Sequence, residues 1–383
     1  MTIWNPGKVR IASERLHSAV SGKKIALMMN HSALDNHARS LIDVLHEDPG
    51  CEIAFLFGME HGVRGDYYAG DAKIARNDPR TGLPVVSLYQ FPGLKPPAEL
   101  VGTVDAVVFC AQDVGVRHWT YTPWMLYLLD AAAQSGTEVI LVDRPNPLGG
   151  EVIEGGVVEE QFYSIVGGYS YPLRHGMTQG ELARYYVGEK KLPCRLTVIA
   201  CDGWTRAMWG DETGMFWTPP SPNISCFDAL VGYATTGLLQ STSVNIGVGT
   251  TTPFTVVGAP WVDGAALARE LCAQDIPGFF CTDTYYIPHF SSYAGELCSA
   301  IRFCVTDRAA YSPVEGMVRI SETLRRMYGE LFTFEKSSYD RRAGSIYLRE
   351  SLENGVPARD ILDNWRAQSD AFRRIRAPYL LYT

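Results

Sequence analysis

The sequence predicts an α/β fold: a parallel β-sheet with helices on both faces, followed by a second α/β domain. Three observations carry this. Short apolar runs of strand length alternate with helical segments through the first 150 residues. Each run ends in a cluster of polar, turn-forming residues. The chain has 383 residues, 46% of them hydrophobic, enough for two domains with a large core.

The first run, KKIALMMN at 23–30, is a buried strand by its continuous apolar character. SALDNHARSLIDVLHEDPG follows, with Leu34, Leu41, Ile42 and Leu45 at helical spacing and Pro49-Gly50 as a stop. CEIAFLFG at 51–58 and VDAVVFCAQD at 104–113 are the next strands, and the second leads into an apolar helix from Tyr121 to Ala133. EVILVDRPNPLGG is a fourth strand that ends in a Pro/Gly turn, which divides the chain into domains at 1–150 and 151–383. Beyond it, CRLTVIAC reads as a strand. TQGELARYYVGE reads as a helix capped by Thr178, with Glu181 completing a capping box. AALARELCAQ and ILDNWRAQSDAFRRIR are amphipathic helices.

Composition excludes several classes. Lys and Arg total 34 against 42 Asp and Glu, a net charge of -8, and no basic stripe offers to neutralise nucleic-acid phosphates. No apolar run approaches the roughly 20 residues of a membrane span. The start, MTIWNPGKVRIASERL, lacks a secretory apolar core, so the chain is expected in the cytoplasm. Nine cysteines occur without a CxxC pair and are expected to be reduced, mostly buried thiols. Gly247 to Phe254 is rich in Gly and Thr but lacks the Walker lysine. No GxGxxG, GxSxG or HExxH motif is present, and His61, His175 and His289 are too scattered to argue for a metal.

In open α/β sheets ligands bind beyond the carboxyl ends of the strands. Four polar clusters fall there: Asn30-His31-Ser32, Gly58 to Gly65, Gln112 to Arg117, and Asp143 to Pro147. Glu60-His61 stands out because glycines flank it, so backbone and ligand can approach closely. A carboxylic acid there can protonate a leaving group. The plainer alternative has Glu60 capping a helix or pairing with Arg64. Asp113 and Asp143 either serve a ligand or bind backbone and arginine. Arg174-His175 precedes the capped helix, whose N-terminus favours anions, or forms an ordinary loop.

The motifs accumulate into a pattern that resembles the YbbC/NamZ family of exo-β-N-acetylmuramidase-like proteins. They are FGMEHGVRGD (57–66), DPRTGLPVVSLY (78–89), QDVGVRHWTY (112–121), DRPNPLGG (143–150), RHGMTQGELA (174–183), WTPPSPN (217–223), GTTTPF (249–254), VTDR (305–308) and YLLY (379–382). The resemblance implies a Rossmann-like N-terminal domain, a second α/β domain, and an active site in the cleft between them. It implies removal of N-acetylmuramic acid from peptidoglycan fragments, without cofactor or metal. The substrate is then a small molecule, with no nucleic acid or membrane involved, and a protein partner remains unidentified. The family's EHG glutamate falls on Glu60, the expected general acid, with His61 and Asp113 beside it as catalytic residues. Asn30, Arg64, Gln112, Arg117, Asp143, Arg174, His175, Asn223, Thr250 and Thr251 are expected to line the cleft and bind substrate.

One stretch departs. Where the family commonly reads EGTNxSEGRGTTRPFE, this chain reads QSTSVNIGVGTTTPFT from Gln240 to Thr255. Glutamates become Gln240, Ile246 and Thr255, and arginines become Val248 and Thr252. Arginine grips carboxylates in two-pronged fashion, so recognition of a lactyl carboxylate should weaken. Three readings follow. The first is a glycosidase acting on muramic acid or a related uncharged amino sugar. The second is a repurposed enzyme that displaces a leaving group or closes a ring, of aziridine type for example, with Glu60 or His61 as acid or base. The third is a non-catalytic binding paralogue.

Overall fold

The computed structural model describes residues 8–70 and 76–383. The first half contains α1 (Ser13–Val20), β1 (Lys24–Met29), α2 (Leu41–His46), β2 (Glu52–Gly58), β3 (Val85–Ser87), α3 (Ala98–Val101), β4 (Ala106–Cys110), α4 (Tyr121–Ser135) and β5 (Glu138–Val142). Then come β6 (Glu154–Val157), β7 (Pro172–Arg174), α5 (Gln179–Glu189), β8 (Arg195–Ile199), α6 (Phe227–Thr236), β9 (Val256–Ala259) and α7 (Gly264–Cys272). The chain finishes with β10 (Phe279–Tyr286), β11 (Cys298–Val305), α8 (Pro313–Tyr328), α9 (Lys336–Ala343), α10 (Tyr347–Glu353) and α11 (Ala358–Arg376).

Alternation within the apolar strands builds two cores. Ala26 and Met28 of β1, Val107 and Phe109 of β4, and Val139 and Leu141 of β5 enter one core. Ile25, Leu27, Met29, Ala106, Val108, Cys110, Ile140 and Val142 enter the core on the opposite face. A strand covered on both faces reads as an unbroken apolar run, which is why these segments were legible. The six strands pair in parallel in the order β3-β2-β1-β4-β5-β8. The chain reverses direction across the sheet between β1 and β4, which makes their carboxyl ends the topological switch point.

The second half contributes an antiparallel sheet in the order β10-β11-β9, backed by α7, on which α8 packs in turn. A division at residue 150 does not coincide with the end of the first sheet. β8 lies beyond that position yet pairs with β5, because Arg195 to Ile199 is an apolar strand that extends the parallel edge. The C-terminus also returns there: Arg206 N donates to the Thr383 carbonyl. Among the described residues, no helix is long and apolar enough to cross a membrane. The nine thiols are free, and four of them are buried.

Two local details test the sequence reading. The helix expected from residue 32 begins only at Leu41. Asp35 Oδ1 accepts from His37 N and Arg39 N, each at 2.8 Å, and this side-chain turn competes with the helix. The capping box forms as expected. Thr178 Oγ1 accepts from Glu181 N at 3.2 Å, and Glu181 Oε2 accepts from Thr178 N at 3.0 Å. Thr178 Oγ1 also donates to Asp143 Oδ2 at 2.6 Å. Thr178→Ala should therefore cost about 2 kcal/mol of stability in a denaturant titration, a lost cap plus a lost buried hydrogen bond. Thr178→Ser should recover most of it.

Candidate active site

The switch point itself is full. Ser32 Oγ accepts from Gln112 N at 2.9 Å and donates to Asn30 Oδ1 at 2.6 Å. The Gln112 amide donates to the Asp113 and Pro145 carbonyls and accepts from Arg144 Nε at 2.9 Å. Residues 213–218 cover this edge and leave a cavity of about 20 Å³ between Ser32, Gln112, Arg144, Thr213 and Trp217, room for one water. The usual dinucleotide crevice is thus occupied by the chain's own side chains.

The Glu60–His61 pair lies one strand over, after β2. The loop from Glu60 to Gly70 folds back on itself. Tyr67 N donates to the His61 carbonyl at 3.3 Å, and His61 Nδ1 donates to the Tyr67 carbonyl at 3.0 Å. Glu60, half-buried, receives Gly70 N on Oε1 at 2.7 Å and the Tyr89 hydroxyl on Oε2. Glycine is required twice in this loop. Gly62 has φ +74°, and a Cβ there would meet the Tyr67 ring at 2.6 Å. A Cβ at Gly65 would meet the His31 ring at 2.5 Å. His61 itself is left-handed at φ 65°, a conformation that a non-glycine residue keeps only when its surroundings impose it.

Electrostatics favour neutral imidazoles here. Burial lowers the pKa of His61 against the raising charge of Glu60, and burial lowers His31 as well. With Nδ1 of His61 committed as donor to a carbonyl, Nε2 is the lone-pair nitrogen. Burial and the Glu60 charge raise the Tyr89 phenol, which keeps its proton for Glu60. Another segment, Pro219–Pro220, packs against this pair. His31 Nε2 donates to the Pro219 carbonyl at 2.6 Å, and the Tyr121 hydroxyl donates to the Pro220 carbonyl at 2.7 Å, with the Glu60 carbonyl 3.4 Å away. Asn30 stands within reach of that same hydroxyl. A ladder of rings then reaches the second half of the chain. Tyr121 meets Trp119 at 5.0 Å, Trp119 meets Tyr233 at 5.8 Å, and Tyr233 meets Phe254 at 5.0 Å. Phe254 closes the loop that carries Thr250 and Thr251, which are half-buried and exposed respectively.

The structure places Glu60 and His61 beside Tyr121, next to which Asn30 is fully buried; Thr250 and Thr251 lie on the loop that Phe254 closes, with the Thr250 hydroxyl donating to the Gly247 carbonyl. The other expected site residues are committed within the protein. Arg64 grips Asp78 through two bonds of 2.7 Å and Asp43 through a third. Arg117 is fully buried and donates to the carbonyls of Gly156, Tyr171, Arg342 and Ala343, and burial brings its pKa down to about 10. Arg174 binds Glu154 and the Leu148 carbonyl. Asp113 accepts from Gly115 N and Thr122 Oγ1 and faces His175 Nε2 at 3.3 Å, while His175 Nδ1 accepts from Met177 N. Asp143 accepts from Thr178, Gly180 and Tyr382. Gln112 and Asp113 end in these internal bonds, and Asn223 is half-buried in a turn whose N–H meets Ser221 Oγ at 3.4 Å. Sequence reasoning missed Tyr89 and Tyr121. Tyr89 closes the DPRTGLPVVSLY stretch, and a phenol at a strand end is a signal that was available there.

An α/β sheet with a carboxylate and an imidazole at its carboxyl edge has the groups that acid–base enzymes use. Comparisons with known proteins give the family. The family model described as exo-beta-N-acetylmuramidase NamZ, N-terminal, matches residues 25–228, and its C-terminal counterpart matches 231–382. The chain belongs to the NamZ family. It is 37% identical over 364 residues to the peptidoglycan beta-N-acetylmuramidase NamZ of Bacillus subtilis (strain 168), covering 95% of this chain and 88% of that protein. Two crystal structures of DUF1343 family proteins from Bacteroides fragilis share the fold. One has a TM-score of 0.91 at 34% identity, and the other 0.75 at 27%. Each alignment covers 98% of this chain and 99% of the other.

Proposed function

We propose that the protein is an exo-acting glycoside hydrolase that removes a terminal N-acetylated amino sugar, with Glu60 as general acid and His61 as general base. The observation that supports this is the pair itself, adjacent in the chain and differently held. Each Glu60 oxygen accepts one protein hydrogen bond and keeps a second lone pair, on which a proton can be carried to the glycosidic oxygen. As the C1–O bond breaks, that proton goes to the leaving alcohol. A water gives its proton to His61 Nε2 and its oxygen to C1. Transfer of this proton back to Glu60 restores the starting state. Asp113 and Asp143 take no part, because their oxygens are bonded inside the fold.

Specificity follows from the facing loop. Ile246 and Val248, where the family commonly carries charge, are turned into the core. The loop presents the exposed Thr251, while the Thr250 hydroxyl donates to the Gly247 carbonyl at 2.7 Å and accepts from Thr252 N at 3.0 Å within the loop. No arginine stands between Gln240 and Thr255, so the loop gives no two-pronged grip for a lactyl carboxylate. We infer a preference for an uncharged N-acetylhexosamine over N-acetylmuramic acid, the unit in the name of the Bacillus relative. The test is 4-nitrophenol release from the two 4-nitrophenyl β-glycosides. The expected result is turnover with kcat/KM higher for the N-acetylglucosamine compound. No release from either by folded protein overturns the reading. It favours the second one, displacement or ring closure on a small uncharged metabolite by the same pair.

The base assignment has its own signature. His61 must be neutral to act, and burial places its pKa below the ordinary 6.5. Activity rises with pH as the base deprotonates, so the acid limb of kcat/KM should have its midpoint below pH 6.5. His61→Asn should remove that limb and lower kcat about 100-fold. An acid limb unchanged in the variant would exclude His61 as the base.

A further inference from the structure

We propose that Tyr68 and Phe290 form an aromatic platform at the mouth of the cleft that stacks on the pyranose ring of the leaving group. This rests on the hydrolase reading above and names a subsite for it. The two rings meet across the two halves of the chain, with centroids 5.7 Å apart and planes at 65°. Both stay largely in solvent, Tyr68 at 56% and Phe290 at 44% exposure. Two aromatic rings in contact and still exposed present an open corner among the described residues. Their position is set by the reactive groups. Tyr68 lies between Tyr67, whose carbonyl holds the His61 ring, and Gly70, whose N–H holds Glu60. Phe290 lies against the loop of Thr250 and Thr251: the His289 N–H donates to the Gly249 carbonyl at 2.8 Å, and any side chain at Gly249 would collide with the Phe290 backbone.

The loop that carries Phe290 is held at a conformational cost. Ser291 and Tyr293 are both left-handed, at φ 75° and 61°. Hydrogen bonds impose the shape: Asn245 Nδ2 donates to the Ser292 carbonyl at 3.0 Å, the Tyr293 hydroxyl donates to the Ser243 carbonyl at 2.7 Å, and Gly295 N donates to the Pro288 carbonyl at 2.8 Å. With His61, both arms that flank the cleft carry strained non-glycine residues, as functional loops commonly do. The strain holds an exposed phenyl ring in place, so binding to it costs little ordering entropy. The chemistry of that ring selects the ligand. An aromatic face is the negative side of a quadrupole and attracts the polarised C–H bonds on the axial face of a pyranose. An exo-acting enzyme holds its cleaved terminal sugar in the cleft, so the next ring of the saccharide falls at the mouth.

The test uses the whole chain and has two arms. Saturation-transfer NMR with chitobiose should show contact from the axial protons of the sugar ring, lost in Tyr68→Ala and in Phe290→Ala. In kinetics on a β-linked disaccharide, both variants should raise KM about fivefold and lower kcat by less than that, the size of one aromatic stacking contact. Phe280→Ala, an exposed ring elsewhere on β10, serves as control. Saturation transfer and KM unchanged in both platform variants overturn the proposal. Should the protein cleave no glycoside, the hydrolase reading fails, and the saturation-transfer arm still decides whether the platform holds a sugar.

Discussion

Glu60→Gln is expected to lower turnover about 1,000-fold while changing unfolding free energy by less than about 1 kcal/mol. The amide has the shape of the carboxyl group, and Glu60 is only half-buried. One donor, Gly70 N, can still bind the amide oxygen, and the Tyr89 hydroxyl can turn to accept from the amide nitrogen. What disappears is the proton for the leaving group, and no neighbour supplies it: burial raises the Tyr89 phenol too far to act as an acid near neutrality. Chemical denaturation and 4-nitrophenol release on the same preparation separate the two effects. A large loss of stability with proportionate loss of activity would make Glu60 a structural residue.

Asp143→Ala should do the reverse. Three donors from two segments converge on this carboxylate: the Thr178 hydroxyl and Gly180 N at the start of α5, and the Tyr382 hydroxyl near the C-terminus. Removing the acceptor leaves all three unpaired in the interior. The expected cost is about 3 kcal/mol, read as a lower denaturant midpoint, with little change in kcat per folded molecule. The pH dependence gives a second check. Burial outweighs the three hydrogen bonds and raises the Asp143 pKa from 3.8 to about 6. The folded state therefore holds the proton more tightly than the unfolded state. The stability this contributes is full below about pH 4 and is lost as pH rises through about 6. The stability difference between wild type and Asp143→Ala should be larger at pH 5 than at pH 8. A difference independent of pH would mean Asp143 does not titrate in that window.

The contrast between these two acids shows what the sequence reveals and what it withholds. The strands of the parallel sheet were legible because burial on both faces leaves an unbroken apolar run, and the capping box because its two residues satisfy each other locally. The tight turn around Glu60 and His61 was legible because glycines flank it. Asp113, Asp143, Arg117, Arg174 and His175 looked equally functional. A polar residue at a strand end can face a ligand or tie down the next loop, and both uses place the same residue type at the same position. Only burial separates them: Arg117 meets four backbone carbonyls that lie 39 to 226 residues away in the chain. The boundary expected at Pro147–Gly150 falls before β8, which pairs with β5. A Pro/Gly turn marks a change of direction, and the strand that completes the sheet returns afterwards.

Treatment of Ile246 and Val248 also needed the structure. The sequence shows only that charge is absent from the stretch. Both pack into the core, and of the two threonines that follow only Thr251 is exposed. That change bears on the substrate more directly than on the reaction, since the Glu60–His61 pair does not depend on it.

The most direct measurement of the central claim is proton NMR of a β-linked N-acetylhexosamine disaccharide incubated with the protein and with Glu60→Gln. The account predicts equal amounts of the terminal sugar and its leaving sugar, seen as new anomeric signals with the wild type and absent with the variant. An intact disaccharide after incubation with folded wild-type protein, or equal cleavage by Glu60→Gln, would contradict it.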